Sequence, residues 1–107
     1  MVDVYEINIA DSAWDDIYDV FSYLRRNAGE STAQNVRKGL IAEVRKLEKF
    51  PTGFPIQHNI SSKQRTFRFL MKWKYKIIFF VDEDAKVIRV IAVRHSSQNP
   101  DSLKDLI

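Results

Sequence analysis

A chain of 107 residues, 45% of them hydrophobic and with only three Gly and three Pro, is long enough for one domain with a buried core and too short for two. That hydrophobic share excludes a disordered chain, and the absence of cysteine excludes disulfide frameworks, thiolate nucleophiles and Cys-based zinc sites. The net charge of +3 favours an acidic protein or a polyanion as partner, while acids at Asp3 and Glu6 and the short apolar run at residues 77–81 fit neither a secretory signal nor a membrane span, so the cytoplasm is the expected compartment.

Residues 2–9 alternate apolar Val2, Val4, Ile7 and Ile9 with Asp3, Glu6 and Asn8, a short, slightly irregular pattern that predicts a strand. Asp11 or Ser12 is placed to cap a helix whose apolar face is Ala13, Ile17, Val20, Phe21 and Leu24, and Asn27-Ala28-Gly29 ends it with a residue that tolerates a left-handed cap. Ser31 or Thr32 opens a second helix with the stripe Ala33, Val36, Leu40, Val44 and Leu47, closed at Phe50-Pro51 because proline cannot continue the hydrogen-bond ladder. Two helices with so short a link form an antiparallel hairpin. Their basic residues, Arg25, Arg26, Arg37, Lys38, Arg45, Lys46 and Lys49, read as its solvated face.

Residues 51–63 carry Pro51, Gly53, Pro55 and a Ser-Ser pair and read as an irregular connection within the domain. Beyond it, residues 65–70, 73–81 and 87–95 are aromatic and β-branched, with turns expected at Met71-Lys72 and at residues 82–86. Three sequential strands make an antiparallel meander, and the helical hairpin must cover one face of it, which predicts an α+β fold in two layers. A short helix after Pro100 is expected to end the chain. In the middle strand, Trp73, Tyr75, Ile77, Phe79 and Val81 are assigned to the helix side, and Lys74, Lys76, Ile78 and Phe80 to the other. Phe67 and Phe69 are expected inward and Arg68 outward, so that Arg68, Lys74 and Lys76 share an open basic face. The stretch from Lys63 to Lys76 has no acid, which makes it the expected footprint of an acidic partner. Residues 90–93 are apolar on both faces, so parity leaves open whether Arg89, Arg94 or His95 joins that surface.

This order of segments, with Leu47-x-x-Phe50-Pro51-x-Gly53, Arg68, the run Tyr75-Lys76-Ile77-Ile78-Phe79, Val93-Arg94-His95 and Asn99-Pro100, resembles the RelE/ParE family of toxin–antitoxin toxins over nearly the whole chain. The resemblance implies a single toxin domain, a plasmid-stabilisation role, and neutralisation by a cognate antitoxin. It implies no cofactor and no metal. Two chemistries follow from its two branches: RelE-like members cleave messenger RNA on the ribosome, and ParE-like members inhibit DNA gyrase without nuclease activity.

Cleavage by attack of the 2′-hydroxyl needs a base, cations for the developing phosphorane charge and an acid for the leaving oxygen. On the RelE-like reading, His95 is the acid–base group, and Arg68, Lys76 and Arg94 stabilise the charge. On the ParE-like reading, Arg68, Lys74 and Lys76 contact a protein target. Lys76 stands where many RelE-like members carry Arg, and a lysine offers a point charge in place of a planar fork. The sequence Ser96-Ser97-Gln98-Asn99-Pro100 has no match to the catalytic tyrosine of several RelE-like nucleases. The Pro51-x-Gly53 connection and the ending from His95 to Pro100 look more like the ParE branch. His58 has no partner evident in sequence and reads as exposed. Trp73 and Tyr75 are assigned to the core in preference to a base-stacking role. A member of the family that keeps the fold and has lost toxicity is the remaining reading.

Overall fold

The computed structural model describes residues 4–107. Strand β1 (Glu6–Ile9) runs into helix α1 (Asp11–Ala28), and Gly29 alone separates α1 from α2 (Glu30–Arg45). Gly29 turns that corner at φ 96, a conformation that a side chain disfavours, so the expected glycine stop becomes the whole interhelical link. The first part of the expected strand, residues 2 and 3, lies outside the described residues. Neither Asp11 nor Ser12 caps α1; the cap residue is Ala10, whose carbonyl accepts from Ala13 and Trp14. Likewise α2 opens at Glu30, ahead of Ser31 and Thr32.

After a 3-10 turn, Lys46–Glu48, and a second, Pro51–Gly53, the chain forms β2 (Phe67–Lys72), β3 (Tyr75–Asp82) and β4 (Val87–His95). The sheet order is β1-β4-β3-β2: the meander is antiparallel, and β1, for which the sequence supplies no partner, adds in parallel to β4.

The first hairpin turn is Trp73-Lys74, because Met71 and Lys72 remain in the ladder opposite Lys76 and Tyr75. A two-residue turn pairs even positions of one strand with odd positions of the next, so the alternation inverts across it. Phe67 and Phe69 therefore point away from the helices, while Arg68 and Leu70 stand opposite Phe79 and Ile77 on the helix face, which reverses the expected assignment. Trp73 is corrected as well. It is 55% exposed at φ 52, with its ring laid over Gly39 of α2, where an added Cβ would come within 2.3 Å of a ring carbon.

On the helix face, Ala13, Ile17, Leu40, Val44 and Leu47 pack against Leu70, Ile77, Phe79, Ile88, Val90 and Val93. The opposite face is no open basic surface. Ile60 of the connection and Leu103 of the C-terminal 3-10 helix (Pro100–Leu106) cover Phe67, Ile78, Ile91 and Ala92, making a second, smaller core. A register shift explains the run of β4 that is apolar on both faces. Ile78 pairs with Ala92 and Phe79 with Val90, so Ile91 is an inserted residue and both Ile91 and Ala92 serve the second core. Beyond this bulge, Arg94 pairs with Lys76 on the covered face and His95 with Tyr75 on the helix face. Before it, Arg89 pairs with Phe80 and donates to Asn8 of β1.

Candidate functional site: the free end of strand β4

Because β1 stops at Ile9 opposite Val90, the last residues of β4 have no neighbouring strand on that side. Helix α1 satisfies the exposed edge instead. Ser12 Oγ donates to the Ile91 carbonyl at 2.6 Å, and the Val93 amide donates to Asp16 Oδ2 at 2.9 Å. The same carboxylate oxygen accepts from Arg94 Nε at 3.0 Å, and Arg94 Nη1 donates to Ser102 Oγ at 2.8 Å. One half-buried guanidinium thus joins α1, β4 and the C-terminal 3-10 helix. Charge-assisted bonds in such a partly desolvated place are the strong kind, about 1.5–3 kcal/mol each.

Two spaces flank this strand end. On the covered face, a cavity of about 60 Å³ is lined by Gln57, Lys76, Arg94, His95 and Ser102 among others. Lys76 Nζ donates to Gln57 Oε1 at 3.3 Å and lies 4.3 Å from the centroid of the Phe69 ring. Gln57, buried, is itself fixed by donating to Asn59 Oδ1 at 2.6 Å. On the helix face, an open cleft of about 790 Å³ runs between α1 and the ends of β3 and β4, with Asp16, Asp19, Tyr23, Tyr75, His95 and Ser97 along it.

The His95 ring is tied at one nitrogen. Nδ1 accepts from the Ser97 amide at 3.1 Å and lies 2.7 Å from Ser97 Oγ, and since an amide N–H can only donate, the proton of the neutral imidazole sits on Nε2. In that tautomer Nε2 is a donor, and the lone pair that a general base needs is already engaged. The ring also meets Tyr75 edge to face at 5.5 Å. Burial, and secondarily the nearby Tyr23 phenol, pushes the Tyr75 hydroxyl above its ordinary range.

Of the residues singled out in sequence, Lys76, Arg94 and His95 come together at the end of β4. Arg68 does not: its Nη1 donates to the Phe54 carbonyl at 2.8 Å, and it borders a separate groove with Arg65 and Asp82. Lys74 is exposed in the hairpin turn, so the expected surface of Arg68, Lys74 and Lys76 is not formed. The turn position and the parity inversion are the reason. His58 is exposed, as expected. Sequence reasoning missed Ser12, Asp16, Gln57 and Ser102; the spacing of Ser12 and Asp16, one helical turn apart beside the stripe Ala13 and Ile17, is the only local signal they carry. Among the described residues no group of three or more His, Cys, Asp or Glu is placed to hold a metal ion, and no helix is long and apolar enough to cross a membrane.

A strand, a helical hairpin and a three-stranded meander with a covering C-terminal turn make the fold of the RelE/ParE toxins. The chain is similar to one from the chromosomal ParDE toxin–antitoxin system of P. aeruginosa, with a TM-score of 0.69 and 13% identity, over 86% of this chain and 96% of that one. It is similar to a chain of the RelBE2 toxin–antitoxin complex of Mycobacterium tuberculosis, with a TM-score of 0.64 and 10% identity, over 92% and 98%. A mutant of the E. coli toxin RelE in the free state matches with a TM-score of 0.61 and 14% identity, over 97% and 99%. In sequence, the family model for the ParE toxin of the type II toxin–antitoxin system parDE matches residues 7–100, and the chain belongs to that family. No curated protein matches it at a significant level.

Proposed function

We propose that this protein is the toxin of a type II toxin–antitoxin pair, that it acts by binding DNA gyrase without cutting RNA, and that a cognate antitoxin neutralises it. The family model of ParE type supports the branch. The observation that carries the reading is the commitment of Arg94 and His95, two of the three groups gathered at the end of β4, to internal partners, while Lys76 is held by the neutral Gln57 amide. Arg94 is neutralised by Asp16, and His95 has its acceptor nitrogen engaged by Ser97. A ribonuclease needs a free base and unneutralised cations at the phosphate. The names of the similar P. aeruginosa and M. tuberculosis structures, each a toxin–antitoxin system, support an antitoxin as partner here.

Induced expression in cells, with message ends and plasmid supercoiling mapped in the same samples, tests the reading. Impaired supercoiling with intact messages is expected, and new cuts in translated messages with supercoiling intact would contradict it. The second reading, a ribosome-dependent endoribonuclease, is favoured by one observation: Lys76 and Arg94 are cross-strand neighbours and line one small cavity with His95. On that reading, cleavage appears and His95→Ala abolishes it while the fold survives. Growth, messages and supercoiling all unchanged would point to a folded relic of the family.

A further inference from the structure

The cleft on the helix face gathers carboxylates and phenols in a chain whose net charge is +3. One stripe of α1 supplies Asp16, Asp19, Val20 and Tyr23, spaced to lie on a single helical face, and Tyr75, Val93 and His95 face them from the sheet. Val20 and Val93 are apolar, and Tyr23 is 59% exposed. Neither tyrosine hydroxyl makes a hydrogen bond to the described residues, although both phenols border the cleft. Asp16 already neutralises Arg94, so the charges along the cleft leave the exposed Asp19 carboxylate unbalanced, with no salt bridge among the described residues. Two phenols, an unpaired carboxylate and an apolar floor form a receptor for a cation carried on an aliphatic stem.

We infer that this cleft seats an arginine side chain presented by a partner polypeptide, with its guanidinium against the Tyr23 and Tyr75 rings and the Asp19 carboxylate. Arginine fits better than lysine because its planar, weakly hydrated group stacks on aromatic faces and forks onto a carboxylate at once. The volume of the cleft, about 790 Å³ and open to solvent, admits the flanking backbone of a peptide, whereas a bare inorganic cation would leave it mostly unfilled. The inference does not depend on which target the toxin has.

The test uses the full chain and three acetylated, amidated tripeptides, Gly-Arg-Gly and its lysine and citrulline counterparts, titrated by NMR. The arginine peptide is expected to shift the Tyr23 and Tyr75 ring signals and the Val93 and Ser97 amides saturably. Citrulline, equal in shape without the charge, should bind roughly tenfold more weakly, and Asp19→Asn or Tyr23→Ala should weaken arginine binding by roughly fivefold with the remaining amide spectrum unchanged. Both variants alter exposed side chains, so they leave the core intact. Equal binding of arginine and citrulline peptides, shifts scattered over the surface, or variants that bind as the parent does would overturn the proposal. Equal binding of the lysine peptide would overturn the choice of arginine.

Discussion

Asp16 uses one carboxylate oxygen twice, for the Val93 amide and for Arg94 Nε, and both partners are 77 or 78 residues away. Replacing it by Ala leaves a strand amide and a guanidinium without their acceptor; Asp16→Ala is expected to destabilise the fold by about 2–3 kcal/mol in urea denaturation, and Asp16→Asn by less, because its amide oxygen still accepts. Glu43 of α2 offers a pH test. The Lys46 hydrogen bond, against the opposing effect of burial, holds the Glu43 carboxyl below its ordinary 4.5, and the Lys46 and Lys72 charges add to this. A carboxyl lowered on folding contributes stability above its unfolded value and loses it as pH falls through the folded one. Glu43→Gln should therefore cost about 0.5 kcal/mol at neutral pH, and the gap from the parent should close as the pH is taken below 4.5 in parallel denaturation series. At this scale the sequence shows which residues carry charge and hides their partners. Lys76, Arg94 and His95 could be named from residue type and position, whereas Asp16 looks like any early acid until the chain is folded, since nothing local records a contact across the molecule.

The β2–β3 hairpin shows what decides an element's faces. Its strands are legible from their composition, but the placement of the turn by two residues sends Trp73 out of the core, and the inversion across it carries Arg68 to the helix face. At that turn the Trp73 ring lies on Gly39, a tertiary contact that also accounts for a glycine in the interior of a helix. An alanine there ordinarily stabilises a helix by about 1 kcal/mol. Gly39→Ala alone should yield no gain, because the Cβ meets the ring, and the full gain should return in the Trp73→Ala background; chemical denaturation of the four-member cycle measures the coupling. The bulge at Ile91 is a second feature that parity cannot reveal. A run of four apolar residues is compatible with either register, and the choice depends on a second core built from residues elsewhere in the chain.

At the scale of the molecule, the two-layer α+β order was legible because each layer has its own hydrophobic period. The covering of the other sheet face was not, since the connection and the C-terminal segment have too little periodicity to mark them as core. Leu103, 2% exposed, anchors that cover. Leu103→Ala should cost about 2–4 kcal/mol and should first remove amide-exchange protection in the Pro100–Leu106 helix, with the helix-side core still protected. The proposed function rests on a different property: Arg94 is paired with Asp16 and His95 has its acceptor nitrogen engaged by Ser97, an arrangement that supports action by contact over cleavage. The most direct measurement combines purified protein with purified gyrase, ATP and relaxed plasmid, beside a translation reaction in which message ends are mapped. Inhibited supercoiling with uncut messages is the predicted result; unaffected gyrase together with cuts in the translated message would contradict the account.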